Sequence, residues 1–324
     1  PLFLAITVLT GELTYQSVII FAVIMGTAQA LITPARDGLL PLVADGKIQR
    51  LVVQASMIQF GIQAFGFLIA AYADELGAAT MLLLQFTALQ IGMLAYIKLK
   101  LPYQRPAPVN QHPFRQISES VLEGFRTVKA SPYLRAVAFQ NVAMGTFFMG
   151  SYIVTIPLLI RELYQGGSVE LSWLNAANSF GIVVTILYLM RIGDIHRQGR
   201  ALLLAQGVGS VALACGGLGL GFYSLLGSIF LWGMCGGFAL TMSRTIMQER
   251  APEKQRARIM AFYSFSLLGA IPIGALVSGY LVKWLGASDA LITSSILMFI
   301  FVIFVSLSST LWSLDAKPAS HPAE

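Results

Sequence analysis

Apolar residues run along this chain in long blocks separated by short polar stretches, with no strict alternation of apolar and polar positions inside a block. A helical block of about 20 residues crosses a hydrocarbon core of roughly 30 Å. Sliding windows place ten blocks, at 1–10, 17–35, 51–73, 78–98, 134–160, 171–192, 200–219, 222–245, 259–284 and 287–311. Lipid offers no partner to a bare N–H or C=O, so each block must be helical. Barrel strands would be shorter and would alternate. The pattern alone therefore predicts an all-α multi-pass membrane protein. The first block, PLFLAITVLT, is half a crossing and opens on Pro1. It lacks the basic region and small-residue cleavage site of a signal peptide, and it reads as the remainder of a helix whose start has been lost.

Composition sharpens this reading. Only 11% of the 324 residues are charged, 56% are hydrophobic, and the mean hydropathy is +0.73. If the loop at 33–50 is cytoplasmic, alternation through the blocks puts nineteen of the 21 Lys and Arg residues on that side, leaving Arg161 and Lys283 opposite. This is the positive-inside bias of a membrane protein, and it places the 99–133 linker and the C-terminus in the cytoplasm. The net charge of +6 thus reports topology. The basic residues are dispersed and not gathered with aromatics on one face, which argues against nucleic acid as a partner. Cys215 and Cys235 both fall inside blocks and imply neither a disulfide framework nor a metal site.

A shift of 208 residues lays Arg36 on Arg244, Ser56 on Ser264, Gly61 on Gly269 and Gly66 on Gly274. Both copies run from an arginine at a helix end through a polar loop into a glycine-spaced block. The chain is thereby divided into an N-terminal bundle remnant (1–98), a linker (99–133), a six-helix C-terminal bundle (134–311) and a tail (312–324). Within the linker a surface helix is expected over 117–128, with Val121, Leu122 and Phe125 on one face. Duplicated bundles joined by a long linker suit a transporter whose halves rock about a midplane site.

With GDIHRQGR at 193–200, QERAPEKQRARIMAFYS at 248–264 and GAIPIGALVSG at 269–279, this arrangement resembles the major facilitator superfamily, and within it the branch of the siderophore (enterobactin) exporter and related drug exporters. The resemblance implies a fold of two pseudo-symmetric helical bundles, with about ten of twelve helices present here, numbered three to twelve. The family's loop signature is carried by Gly193, Asp194, Arg197, Gly199 and Arg200, with His196 inserted. Its antiporter motif on the fifth helix is represented only by Gly61 and Gly66, without a proline.

Charged residues near helix ends are either interfacial anchors or ion pairs of a cytoplasmic gate. Arg36, Asp37, Arg50, Asp194, Arg197, Arg200, Arg244, Glu249 and Arg258 form the gate set. By the resemblance, Asp194 faces Arg244 or the helix start near Arg50. Gly61, Gly66, Gly269 and Gly274 are expected at close helix contacts, and Pro272 is expected to bend its helix by removing one backbone donor. The stretch CGGLGLG at 215–221 predicts a helix end and tight turn. Polar and aromatic residues inside the blocks are substrate-cavity candidates or interhelical hydrogen-bonders. They are Ser56, Gln59 and Gln63 on one helix face, then Gln140, Asn141, Asn175, Asn178, Trp232 and Tyr263.

No ionisable side chain falls near the middle of a block, so a proton carrier of the usual intramembrane kind would lie elsewhere, and proton coupling stays open. The expected function is secondary transport: export of amphipathic small molecules by a monomer in the bacterial cytoplasmic (inner) membrane, with the lipid bilayer as its other partner and no cofactor. A non-transporting sensor or scaffold on the same fold is the alternative. A membrane-embedded transferase fits less well, because no His or Arg cluster accompanies the acidic pair Asp74 and Glu75.

Overall fold

The computed structural model describes residues 1–39, 48–97, 124–193, 195–252 and 255–314, and every regular element among them is helical. Helices α1 (Leu2–Leu9), α2 (Tyr15–Leu39), α3 (Ile48–Ala70), the short α4 (Ala73–Leu76) and α5 (Ala78–Ile97) make up the N-terminal region. After a helical stretch at 124–130 come α6 (Pro132–Leu163), α7 (Ser168–Ile192), α8 (Gln198–Gly217), α9 (Phe222–Arg250), α10 (Arg256–Leu268), α11 (Ala270–Leu285) and α12 (Ala287–Ser308). A 3-10 turn, Thr310–Ser313, ends the described chain. Each of the ten predicted blocks is helical. Among the described residues, seven helical stretches are long and apolar enough to cross a membrane, α10 and α11 counting together as one, and two shorter apolar helices lie within α2 and α3.

Helix boundaries follow local chemistry. Helix α6 starts where Ser131 Oγ accepts the Leu134 N–H at 3.5 Å and Pro132 occupies the first turn, a position where proline costs no hydrogen bond. Helix α8 ends at Gly217, and the chain turns through Gly219 (φ +68°) and Gly221 (φ +107°), left-handed conformations that side chains other than glycine resist. That is the turn expected from CGGLGLG.

Helices α6 to α12 form one bundle, with α9 packed between α7 and α8, α12 against α8 and α6, and α11 against α6. Its core includes Leu134, Met144, Ile156, Leu174, Leu203 and Ile229, all buried. From the N-terminal region, α3 packs along α7, while α1 packs on α5.

Two helices lose regularity where they cross. Helix α6 widens into a π-turn at Met144–Met149, and the α10–α11 run breaks at Gly269. A Cβ on Gly150 would lie 2.4 Å from the Gly274 backbone, and one on Gly145 would lie 2.4 Å from the Leu267 carbonyl. The break falls just before Pro272, whose missing N–H leaves the Leu268 carbonyl without its helical donor.

Candidate functional site

The polar and aromatic side chains of the C-terminal bundle gather along α6 and its neighbours. Tyr152 of α6 stacks on Trp232 of α9, with ring centroids 4.9 Å apart and planes at 25°. Phe148, one turn earlier, meets the same indole edge-on at 5.8 Å and 88°. The Tyr152 hydroxyl donates to Asn175 Oδ1 of α7 at 3.0 Å, and Asn175 Nδ2 donates to the Leu171 carbonyl at 2.8 Å. Three helices thus share one aromatic plate with an amide at its edge. Offset stacking and edge contacts fix ring orientation beyond what area alone would supply.

Below the plate, Gln140 Nε2 donates to Gln206 Oε1, and Gln206 Nε2 points to the Met144 sulfur at 3.8 Å. A cavity of about 10 Å³, lined by residues including Met144, Phe148, Gln206, Trp232 and Cys235, is at the limit of one water. Asn141 is fully buried, and neither of its amide atoms has a hydrogen-bond partner among the described residues. An unpaired amide in an apolar interior is costly, which sets Asn141 apart from the paired amides Asn175 and Gln206. Further along α9, the hydroxyls of Ser243 and Tyr263 lie 3.2 Å apart, tying α9 to α10.

Among the predicted cavity residues, Asn175 and Trp232 meet through Tyr152, and Tyr263 is buried against Ser243. The backbone carbonyl of Asn178 abuts Gly233, where a Cβ would approach it to 2.2 Å. On α3, Ser56 is half-buried while Gln59 and Gln63 are exposed. The expected packing glycines divide: a Cβ on Gly274 would collide with the Thr146 carbonyl of another helix at 2.2 Å, one on Gly269 would meet its own helix, at the Phe265 carbonyl one turn back, and Gly61 and Gly66 face open space.

For the gate set, Asp194 and the side chains of Arg36, Asp37 and Arg50 lie outside the described residues. The Glu249 carboxylate, in the last turn of α9, accepts Gln198 Nε2 at 3.1 and 3.2 Å, which joins it to the start of α8. Arg200 is turned to the 3-10 segment, its Nε donating to the Trp312 carbonyl at 3.0 Å. Arg197 is exposed. The carbonyl and Cβ of Arg258 lie 3.6 Å from where a Cβ on Gly124 would stand, and Phe125 meets Phe262 at 6.1 Å, so the end of the linker rests on α10.

Sequence reading missed Tyr152, Gln206 and Gln198. Tyr152 carries no local signal, because its partner is 80 residues away. The α7–α9 crossing did have one, Gly233 and Gly237 in a G-x-x-x-G spacing, and Gly237 sits against Thr185, whose Oγ1 donates to the Met234 carbonyl at 2.8 Å.

Residues 141–323 match the family model of the Major Facilitator Superfamily, more than half of the chain and all of the bundle that carries the plate except the first turns of α6. No curated protein matches the chain. An all-helical bundle built of membrane-length helices and covered by that match identifies the chain as a member of the Major Facilitator Superfamily of membrane transporters.

Proposed function

We propose that this transporter exports amphipathic small molecules, of siderophore or drug-like character, by rocker-switch alternating access between its bundles at 1–98 and 134–311. The observation that carries the reading is the Tyr152–Trp232 plate with Asn175 at its edge. A broad aromatic face suits a flat apolar moiety, and the adjoining amides Asn175, Asn178 and Asn141 suit its polar groups. Ser56, Gln59 and Gln63 of α3 extend this neutral, mildly polar lining from the other bundle. Neutral lining favours amphipathic solutes over anions or sugars, since pockets gain specificity from a few placed polar groups in an apolar wall.

On this reading the cytoplasmic gate comprises Arg36, Asp37, Arg50, Asp194, Arg197, Arg200, Arg244, Glu249 and Arg258, in a monomer of the bacterial inner membrane whose linker and tail face the cytoplasm. Solvated ion pairs are individually weak, which keeps two states within a few kcal/mol of one another. The Glu249–Gln198 bonds place one carboxylate of the set at a joint between two helices. Gly269 and Gly274, with Pro272, form the joint of the α10–α11 run.

The test is accumulation of siderophores and lipophilic cations in a strain stripped of its own efflux systems, with the full-length gene restored, with and without an uncoupler. Lower accumulation that rises on uncoupling is expected for proton-coupled export. Uncoupler-insensitive export would remove the coupling, and unchanged accumulation of every solute would remove export. Asp194→Asn is expected to impair transport with the protein still in the membrane; wild-type rates would overturn the gate.

A further inference from the structure

Outside the aromatic plate, a groove of about 430 Å³ lies between α8 and α12. Its floor includes Leu203 and Val302, both buried, and its rims Leu204, Val211 and Ile303, about half exposed. At 1.5 Å of rise per residue, the span from Leu203 to Val211 on α8 covers roughly 12 Å of membrane depth. The glycine of this wall, Gly207, leaves the groove open: a Cβ there would meet only Phe299, at 3.8 Å.

One end is different. The 3-10 turn after α12 folds back so closely on α8 that a Cβ at Gly199 would overlap the Leu311 carbonyl. That approach sets Trp312 at the end of the groove. Arg200 lies over its ring, 5.5 Å from the centroid, and is anchored through Nε to the Trp312 carbonyl. A tryptophan and an arginine at the start of one spanning helix and the end of another sit at headgroup depth.

We propose that this groove binds one anionic phospholipid, an acyl chain lying between α8 and α12 and the phosphodiester meeting the Arg200 guanidinium beside Trp312. Charge complementarity selects the occupant. Apolar walls alone give little preference in a membrane, where lipid tails are as apolar as the helix surface, so headgroup recognition is assigned to Arg200, held at the mouth over Trp312. The chain's own tail is a poor occupant, since residues 315–324, DAKPASHPAE, hold no large apolar side chain.

The test is native mass spectrometry of the full chain taken from membranes with equal phosphatidylglycerol and phosphatidylcholine. The wild type is expected to retain one phosphatidylglycerol with about fivefold preference, the scale of one arginine at a membrane surface. Arg200→Gln should bring the two lipids to parity. Gly207→Leu should strip both, and Gly207→Ala should weaken both if the larger variant fails to fold. Gly227→Leu, whose Cβ meets nothing within 4 Å, should leave retention unchanged. Equal retention of the two lipids by the wild type, or preference surviving in Arg200→Gln, would overturn the proposal. So would a dimer that Gly207→Leu dissolves, or a detergent molecule held regardless of headgroup.

Discussion

The N-terminal helices and the C-terminal bundle are both apolar and are differently packed. Helix α5 has no buried residue, and glycines of α2, α3 and α5 (Gly26, Gly61, Gly66, Gly92) look onto open space. In the C-terminal bundle, Cβ atoms on Gly145, Gly150, Gly181, Gly233 and Gly274 would each run into a neighbour's backbone at under 3.0 Å. Apolar character inserts a helix into lipid but does not bring two helices together, because the tails solvate leucine as well as leucine does. Close approach does, and it needs small residues at the crossing. The same contrast holds within the repeat: Pro272 falls on Ala64 under the 208-residue shift, and α3 runs unbroken past Gly61 where α10 gives way to α11 at Gly269.

The largest effect is expected at the centre of the bundle. Trp232→Ala removes the surface that Tyr152 and Phe148 pack on, and should cost about 3–5 kcal/mol in thermal or denaturant unfolding. Phe65→Ala on α3, where the ring is 64% exposed, should stay within about 0.5 kcal/mol. Equal losses at the two sites would end the distinction between the regions.

Next comes the repeat. Ala64→Pro would leave the Phe60 carbonyl unbonded in α3 and should cost about 3 kcal/mol. If Pro272 is what separates α10 from α11, Pro272→Ala should straighten that run, read as a change in distance between spin labels at its two ends. A distance unchanged from wild type would assign the break to Gly269 alone.

A third pair tests the glycines directly. Gly150→Leu has no flexible side chain to displace, only the Gly274 backbone, and should cost about 1–3 kcal/mol or more. Gly61→Leu and Gly92→Leu should lie within about 0.5 kcal/mol.

The helices were legible in the sequence because hydrophobic length is a local property and membranes enforce it. The turn at 215–221 was legible for the same reason: glycines in left-handed conformations announce themselves. The site was legible by residue type and not by partnership. Trp232, Asn175 and Tyr263 stood out as polar or aromatic residues inside apolar blocks, but what each touches depends on helix rotation, which a nearly all-apolar circumference does not encode. Glu249 shows this well, since it was grouped with arginines at its helix end while its described partner is the amide of Gln198. Arg200, grouped with the gate, is held against Trp312 by a segment 112 residues away.

The smallest effect is expected where the two regions meet. Ser168 Oγ, at the start of α7, donates to Asp74 Oδ2 of α4 at 2.5 Å, where Asp74 is exposed and Ser168 half-buried. By the alternation of helices this contact lies at the membrane face opposite the Thr127–Gln255 hydrogen bond of the linker. Ser168→Ala should cost about 0.5 kcal/mol or less of unfolding stability, because water replaces the lost partner of an exposed group. A bond that contributes little to folding can still weigh on a balance between two nearly equal states: about 0.5 kcal/mol is a twofold change in their ratio. The measurement that separates these roles is the reactivity of a cysteine introduced on the inner side of this contact, at Ala71, toward a membrane-impermeant thiol reagent. Faster labelling in Ser168→Ala at unchanged stability would make the contact a latch between the regions. Unchanged labelling would make it a surface hydrogen bond, and would leave the α3–α7 packing as what joins the two regions.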